Sequence, residues 1–163
     1  MPESALSAVV FFAALVGMEG VAWSTHRWVM HGPLWCLHRS HHEPRAGRFE
    51  LNDLFALVFA SLAIALFWNG FRPGWPGQVA WWAGAGVTTY GALYALVHDG
   101  LVHRRWPMPP LGRRGYLRRL VQAHRVHHAV NSRDGAVSFG FLLPGDARSL
   151  ARRLRERRPA SPA

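Results

Sequence analysis

All ten histidines of this 163-residue chain fall into four short motifs, and none lies elsewhere. Two motifs have the form His-x4-His and two have the form His-x2-His-His. Neutral imidazole is a common ligand of iron, zinc, copper and nickel, and two histidines at helical spacing can bind one ion. Ten imidazoles are too many for one ion, so the motifs predict a binuclear metal centre. The candidate ligands are His26, His31, His38, His41, His42, His98, His103, His124, His127 and His128.

The histidine motifs require particular local structures. From Tyr116 to His128, apolar residues and histidines recur at helical spacing, which predicts an amphipathic helix with His124 and His128 on one face. The two rings of a His-x4-His pair would lie about 140° apart on a regular α-helix, because each residue turns the chain by roughly 100°. We therefore predict a local π-helical widening at one or both of these pairs.

Three apolar stretches separate and precede the motifs. Residues 5–23 contain one charged residue, Glu19, and residues 54–71 and 78–97 contain none. A bilayer core of roughly 30 Å needs about 20 helical residues, so each stretch can span a membrane. The sequence thus predicts an all-α, multi-pass membrane helical bundle of about three spans. A soluble protein with three wholly buried helices would need more chain to cover them.

Arginine placement predicts the orientation of the spans. All 19 basic residues are arginine, and fourteen of them follow the third predicted span. The connector between the first two spans has four, Arg27, Arg39, Arg45 and Arg48, and the loop 72–77 has one. The positive-inside rule then puts the N-terminus outside and all four histidine motifs on the cytoplasmic side, as a histidine-rich helical cap. The start lacks the basic region of a cleaved signal peptide, which predicts a retained anchor.

Two carboxylates are candidates for a supporting role beside the metal. Glu19 lies inside the first predicted span, seven residues before His26 and on the same helix face. One interpretation is that Glu19 orients a metal ligand or supplies protons. The other is that it only makes a hydrogen bond between helices. Asp99 directly follows a candidate ligand and is either an acceptor for a ligand's second N–H or a solvated capping carboxylate. Asn52 or Asp53 is expected to cap the second span.

The composition excludes some kinds of metal site and disfavours nucleic-acid binding. Cys36 is the one cysteine, which excludes an internal disulfide and a cysteine-ligated zinc or iron–sulfur site, and we expect it to pack between helices. The formal net charge of +10 would suit nucleic acid, but the arginines adjoin predicted spans, where lipid head groups explain them.

Residues 136–144 are too short to span a membrane and are expected to pack over the site or enter the membrane interface. Residues 146–163 form an arginine-rich tail, with a short helix that frays.

The position of the motifs at the ends of apolar spans suits a substrate that enters from the lipid. Zinc has no redox chemistry, and three histidines already suffice for a hydrolytic zinc site. An imidazole-rich pair of irons can instead bind O2 and accept electrons stepwise, so iron-dependent oxygenation of a hydrocarbon is the predicted reaction. The alternative from another class is a non-enzymatic membrane metal or haem protein. A transporter would need polar groups through the spans, and haem would need histidine pairs on facing spans.

The motifs and the residues around them resemble the membrane fatty acid hydroxylase and desaturase-like superfamily. Within it, the likeness is to the bacterial β-carotene 3-hydroxylases, and it runs from about residue 8 to residue 145. It is carried by Gly17-Met-Glu19, Met30-His-Gly32, Ser40-His-His-Glu-Pro-Arg45, Phe49-Glu-Leu-Asn-Asp53, Val97-His-Asp-Gly-Leu-Val-His103 with Arg105-Trp-Pro107, and Val137-Ser-Phe-Gly-Phe141.

The resemblance implies a membrane-embedded di-iron hydroxylase domain over residues 1–145. Its activity would be that of a non-haem monooxygenase acting at C3 of carotenoid β-ionone rings, from β-carotene through β-cryptoxanthin to zeaxanthin, and on ketolated rings toward astaxanthin. All ten histidines would bind the two iron ions, with one or two of them only orienting others. O2 would be the co-substrate, reduced ferredoxin and its reductase would supply electrons, and the carotenoid would come from the lipid phase.

The same resemblance implies the bacterial cytoplasmic (inner) membrane as the location. The nearest alternative is a related membrane hydroxylase or desaturase that acts on fatty acyl chains or sterols. Histidine spacing does not separate these activities, whereas the residues around the motifs favour the carotenoid hydroxylase.

Overall fold

The computed structural model describes residues 3–44, 47 and 49–157. Arg45 and Arg48, which contribute to the predicted orientation, and the end of the tail lie outside these residues. The described residues contain no strand, so the all-α prediction is confirmed. The α-helices are α1 (Glu3–Ser24), α2 (Trp35–His42), α3 (Asp53–Gly70), α4 (Trp75–Tyr94), α5 (Gly115–His127) and α6 (Ala147–Arg157). A π-helical segment, Thr25–Met30, extends α1, a second, Ala95–Val102, extends α4, and a 3-10 turn, Leu111–Arg113, precedes α5.

Within the described part of the chain, two helical segments are long and apolar enough to cross a membrane. They are Ser4–Met30, with 27 residues, and Asp53–Gly70, with 18 residues. In the most apolar 18 residues of each segment, only 11% of the residues are buried inside the protein. Most of the apolar surface of these two helices therefore needs another apolar medium to cover it. Helix α4, the third predicted span, does not meet the same criterion of length and apolarity. A bundle of three spans therefore stays a prediction.

Helix α4 packs against both α1 and α3, and small residues allow the close approach. A methyl group at Gly86 would lie 2.6 Å from the carbonyl oxygen of Phe11 and 2.8 Å from the Cβ atom of Ala14 in α1. On the side toward α3, a methyl group at Gly84 would lie 3.4 Å from the ring of Phe67. Glycine contacts of this kind are typical of helices that associate in membranes. The core between the three helices is formed by Met18, Ala63, Val87 and Tyr90.

Helix α5 has the predicted amphipathic character. Its residues Leu120 and Val121 are buried, whereas Arg118, Arg119 and Arg125 are exposed. Helix α6 covers one side of α5, so the expected short helix in the tail is confirmed over the described residues. Helices α5 and α6 and the segment between them share a second core, which is formed by Ala123, Val137, Leu150 and Leu154.

The expected packing role of Cys36 is wrong, because its side chain is exposed. Helix α2 buries the face that carries His38, His41 and His42. Position 36 lies about 200° around the helix from position 38, since each residue turns by roughly 100°, and therefore faces away from that buried side.

Residues 136–144 have no regular secondary structure and are fixed to the bundle by Glu19. The Oε1 atom of this buried carboxylate accepts hydrogen bonds from the backbone N–H groups of Phe141, Leu142 and Leu143, at 2.7, 2.8 and 3.2 Å. Its Oε2 atom accepts a hydrogen bond from the Tyr90 hydroxyl in α4, at 2.8 Å. Glu19 thus joins α1, α4 and the irregular segment, as the interhelical hydrogen-bond interpretation requires.

The close approach of α1 and α4 predicts that Gly86→Ala destabilises the protein. The added methyl group meets backbone atoms that cannot turn aside, and overpacking of this kind costs about 1–3 kcal/mol. Gly91→Ala in the same helix is the matched control, because its methyl group has nothing within 4 Å and Ala favours a helix over Gly by up to ~1 kcal/mol. The midpoint of thermal unfolding in detergent should fall for Gly86→Ala only. An unchanged midpoint in that variant would contradict the close packing.

The contacts of Glu19 predict that Glu19→Leu loosens the segment 136–144. Three backbone N–H groups lose their acceptor, and each buried donor left without a partner costs about 1–3 kcal/mol. Hydrogen exchange at the amides of residues 141–143 should become at least about 10-fold faster. Tyr90→Phe, which removes one hydrogen bond to the other carboxylate oxygen, should leave these amides nearly as protected as in the wild type. Equal exchange rates in Glu19→Leu and the wild type would show that the segment is held by other contacts.

Candidate metal centre

Both His-x4-His pairs lie on π-helical turns, as the spacing predicts. The backbone N–H of His31 donates to the carbonyl of His26 at 3.0 Å, and that of His103 donates to the carbonyl of His98 at 2.9 Å. These five-residue hydrogen bonds widen the helix, so that the ring centroids of each pair lie only 5.2 and 4.6 Å apart. The prediction of a π-type widening is confirmed at both pairs.

The structure brings all ten histidines together, nine of them in two adjoining groups and His128 between the groups. Within each group, one ring nitrogen from every residue lies within 4.8 Å of the others. His128 lies between the groups, because its ring centroid is 4.5 Å from that of His42 and 4.5 Å from that of His124. The five-histidine group is His26, His31, His38, His42 and His127, and the four-histidine group is His41, His98, His103 and His124.

Every ring of the five-histidine group donates its Nδ1–H to a neutral oxygen atom. Four of the acceptors are backbone carbonyls, which can only accept, so the proton of each neutral ring is on Nδ1 and Nε2 keeps its lone pair. These pairs are His26 with Phe139 at 3.0 Å, His31 with Arg133 at 2.8 Å, His42 with Val130 at 2.8 Å, His127 with Val137 at 3.1 Å, and His38 with the Asn52 side-chain oxygen at 2.7 Å.

Two rings of the four-histidine group donate to carboxylates instead. The Nδ1–H of His41 donates to Glu50 Oε2 at 3.0 Å, and the Nδ1–H of His98 donates to Asp99 Oδ1 at 2.8 Å. Asp99 therefore accepts the second N–H of a candidate ligand, which is the first of its two interpretations. Such hydrogen bonds fix the tautomer and the orientation of a metal-binding imidazole.

Arg105 lies among three carboxylates beside this group. It binds Asp53 through two hydrogen bonds of 2.8 and 3.1 Å. It also lies 3.5 Å from Glu50 Oε1 and 3.9 Å from Asp99 Oδ2, which are the oxygens that face away from the histidines. Asp53 additionally accepts a hydrogen bond from the backbone N–H of Glu50 at 3.0 Å, which links the start of α3 to the turn before it. This N–H lies outside α3, so the expected capping of the helix stays a prediction for Asp53.

The Nε2 atoms of neighbouring rings face one another. Seven of these rings carry their proton on Nδ1, so their Nε2 atoms are unprotonated, and two such lone pairs attract a cation between them. Two nitrogens bound to one ion at about 2.1 Å and at right angles would be about 3.0 Å apart. The arrangement therefore fits bound metal ions. The observed distances are 3.1 Å for His26 and His38, 3.2 Å for His38 and His42, 3.2 Å for His31 and His127, 3.1 Å for His41 and His98, and 2.9 Å for His103 and His124.

Burial keeps at least five of the rings neutral. It lowers the pKa of His38 to about 3 and that of His42 to about 4. Burial, followed by the neighbouring imidazoles, also holds the pKa values of His41, His124 and His127 well below the usual 6.5. These five rings are therefore uncharged at neutral pH, which is the form that binds metals.

His128 supplies a further free nitrogen. Its Nε2 atom is buried and has no hydrogen-bond partner among the described residues. Burial of its ring also lowers its pKa, so the ring is neutral and one of its two nitrogens carries a lone pair. A buried polar atom without a partner is rare in native structures, and a bound metal ion would give this one its partner.

Several supporting residues were not singled out from the sequence. Glu50 and Arg105 appear in the motif strings, but nothing in the sequence pairs them with distant histidines. The expectation that Asn52 caps α3 is wrong, because its side chain makes no capping hydrogen bond and accepts one from His38 instead. The backbone carbonyls that accept hydrogen bonds carry no sequence signal.

Comparison with known proteins agrees with this site. Residues 11–145 match the model of the fatty acid hydroxylase family. The chain is 52% identical to a β-carotene hydroxylase of Pantoea ananas over 94% of its own length and 86% of the relative, and 53% identical to one of Pseudescherichia vulneris over 96% and 88%. It is 45% identical to the chloroplastic β-carotene 3-hydroxylase 1 of Arabidopsis thaliana over 80% of its own length and 42% of the relative. No solved structure matches the chain. With ten histidines converging on one site and a family match over most of its length, the chain belongs to the fatty acid hydroxylase family.

Proposed function

We propose that the protein is a membrane monooxygenase that hydroxylates C3 of carotenoid β-ionone rings. It would convert β-carotene through β-cryptoxanthin to zeaxanthin, and ketolated rings toward astaxanthin. The observation that carries the chemistry is the pair of histidine groups with their Nε2 atoms turned toward one another. The substrate class rests on the identity of 52–53% to bacterial β-carotene hydroxylases. The C3 position is supported by the name of the plant relative.

We propose that the ten histidines bind two iron ions, with five ligands in one group, four in the other and His128 between them. Such an iron pair supplies the reductive activation of O2, in which one oxygen atom enters a C–H bond and the other leaves as water with two electrons and two protons. The protein's own residues hold the rings. Seven Nδ1–H groups donate to fixed oxygen atoms, and Phe139 lies against the rings of His26, His31 and His127, with centroids 5.2–5.4 Å apart.

The electrons would come from reduced ferredoxin and its reductase. This proposal is supported by a groove of about 900 Å³ between the segment after His103 and helix α5. Its lining includes the exposed residues Arg104, Arg113, Arg118 and Arg125, together with Trp106. A basic surface of this kind complements an acidic protein partner and accelerates its association.

The proposed location is the bacterial inner membrane, with the N-terminus outside and the histidine groups on the cytoplasmic side. Helix α4, with 20 residues between two apolar helices, would be the third span. The exposed apolar surfaces of α1 and α3 would then face lipid, from which a carotenoid can reach the site without crossing water.

The single exposed cysteine gives a test of this topology. Cys36 follows the first span and should be labelled by a membrane-impermeant maleimide only after spheroplasts are opened. In a Cys36→Ser background, Arg72→Cys places a thiol in the exposed loop before α4 and should be labelled in intact spheroplasts. Labelling of both thiols from the same side would contradict three spans.

Pigment analysis tests the activity. Expression in bacteria that accumulate β-carotene should give products heavier by one and two oxygen atoms, with hydroxyl groups at C3. Unchanged β-carotene, with iron-loaded protein in the membrane, would point instead to an acyl or sterol substrate.

The buried residue His127 should be essential for this conversion. His127→Ala is expected to abolish product formation while the protein still inserts into the membrane, because the five-histidine group loses a central nitrogen. Glu156→Gln, on the exposed side of α6, is the control and should retain wild-type conversion. Immunodetection in membranes and chromatography of pigments measure the two properties. Wild-type conversion by His127→Ala would remove this residue from the ligand set.

A further inference from the structure

The two histidine groups differ in the charge of the oxygen atoms behind them. All five Nδ1–H groups of the five-histidine group donate to neutral oxygens, four from the backbone and one from Asn52. In the four-histidine group, His41 donates to Glu50 and His98 donates to Asp99. A carboxylate is a stronger acceptor than an amide oxygen and brings a negative charge close to the ring.

Arg105 lies beside both of these carboxylates. Each uses one oxygen for its histidine and turns the other toward the guanidinium, at 3.5 Å for Glu50 and 3.9 Å for Asp99. The shortest contacts of Arg105 are with Asp53, so its charge is directed mainly to that third acid. Arg105 is only 14% exposed, which limits screening of these interactions by water. Glu50 and Asp99 therefore stay oriented and keep most of their effect on His41 and His98.

A carboxylate that accepts the Nδ1–H of an imidazole makes the opposite nitrogen a stronger electron donor. Greater donation, together with a nearby negative charge, stabilises the more highly charged state of a bound metal ion. The four-histidine group has two such interactions, whereas the five-histidine group has none among the Nδ1 contacts described.

We propose that Glu50 and Asp99, positioned by Arg105, make the two iron sites electronically unequal, so that the iron in the four-histidine group has the lower reduction potential. In the singly reduced protein the ferric ion then resides in that group and the ferrous ion in the five-histidine group. This inference rests on the proposed two-iron centre and assigns different roles to its halves.

Redox titration of the iron-loaded, detergent-purified protein, followed by Mössbauer spectroscopy of ⁵⁷Fe, tests the proposal. Wild type should show two separate midpoint potentials. Glu50→Gln and Asp99→Asn keep an oxygen acceptor but remove the charge, so each should raise the lower potential and leave the higher one unchanged. Arg105→Lys keeps the positive charge but cannot contact three carboxylates with a planar fork, so it should raise the lower potential by less than either of these two variants.

Asn52→Asp is the matched opposite variant, because it places a carboxylate behind His38 in the five-histidine group. It should lower the higher potential and leave the lower one unchanged. The proposal that the two iron sites are unequal would be overturned if any of these variants moved both potentials together. It would also be overturned if the variants moved neither potential. Two irons with equal potentials in the wild type would also overturn it while sparing the proposed function, whereas a wild-type iron content below two per chain would overturn both.

Discussion

Imidazole rings that donate their Nδ1 protons outward must turn unprotonated Nε2 atoms inward, and here seven rings do so around a small volume. Lone pairs about 3 Å apart in a buried site are suited to a cation that lies among them. The remaining structure fixes the rings in this arrangement. Two π-helical turns aim the paired histidines, helix α2 presents three rings on one side, and the segment 136–144 closes the site with its carbonyl groups.

The bundle supplies the rigidity that this arrangement needs. Helix α4 approaches α1 closely through Gly86, and Glu19 links both helices to the irregular segment. The carbonyl groups of Val137 and Phe139, which orient His127 and His26, belong to that same segment. A carboxylate inside an apolar helix thus acts on the metal centre through the backbone it anchors rather than through a ligand.

The sequence could predict those features that depend on local spacing. The distance of five residues between paired histidines is incompatible with a regular α-helix, so the π turns followed from geometry alone. The spacing of residues 116–128 likewise predicted α5 and its exposed arginines. The convergence of the motifs was predicted from the even number of membrane crossings between them. Among the residues that the structure describes, two helices meet the criterion for a membrane span.

Features that arise from tertiary approach could not be predicted in this way. The pairing of Glu50 with His41 and the position of Arg105 depend on how α2, α3 and the end of α4 meet. Backbone carbonyls are present at every residue, so their role at residues 130–139 leaves no trace in side-chain type. Cys36 is exposed because α2 is a short helix that buries only its histidine face.

The hydrogen bonds of Glu19 also impose an order on synthesis. Its backbone partners follow 122 to 124 residues later in the chain, so the carboxylate leaves the ribosome long before they do. At roughly 5–20 residues per second, the first apolar helix exists without these backbone partners for on the order of ten seconds. The carbonyl groups of Val137 and Phe139, which belong to the same segment, can therefore join the histidines only late in synthesis.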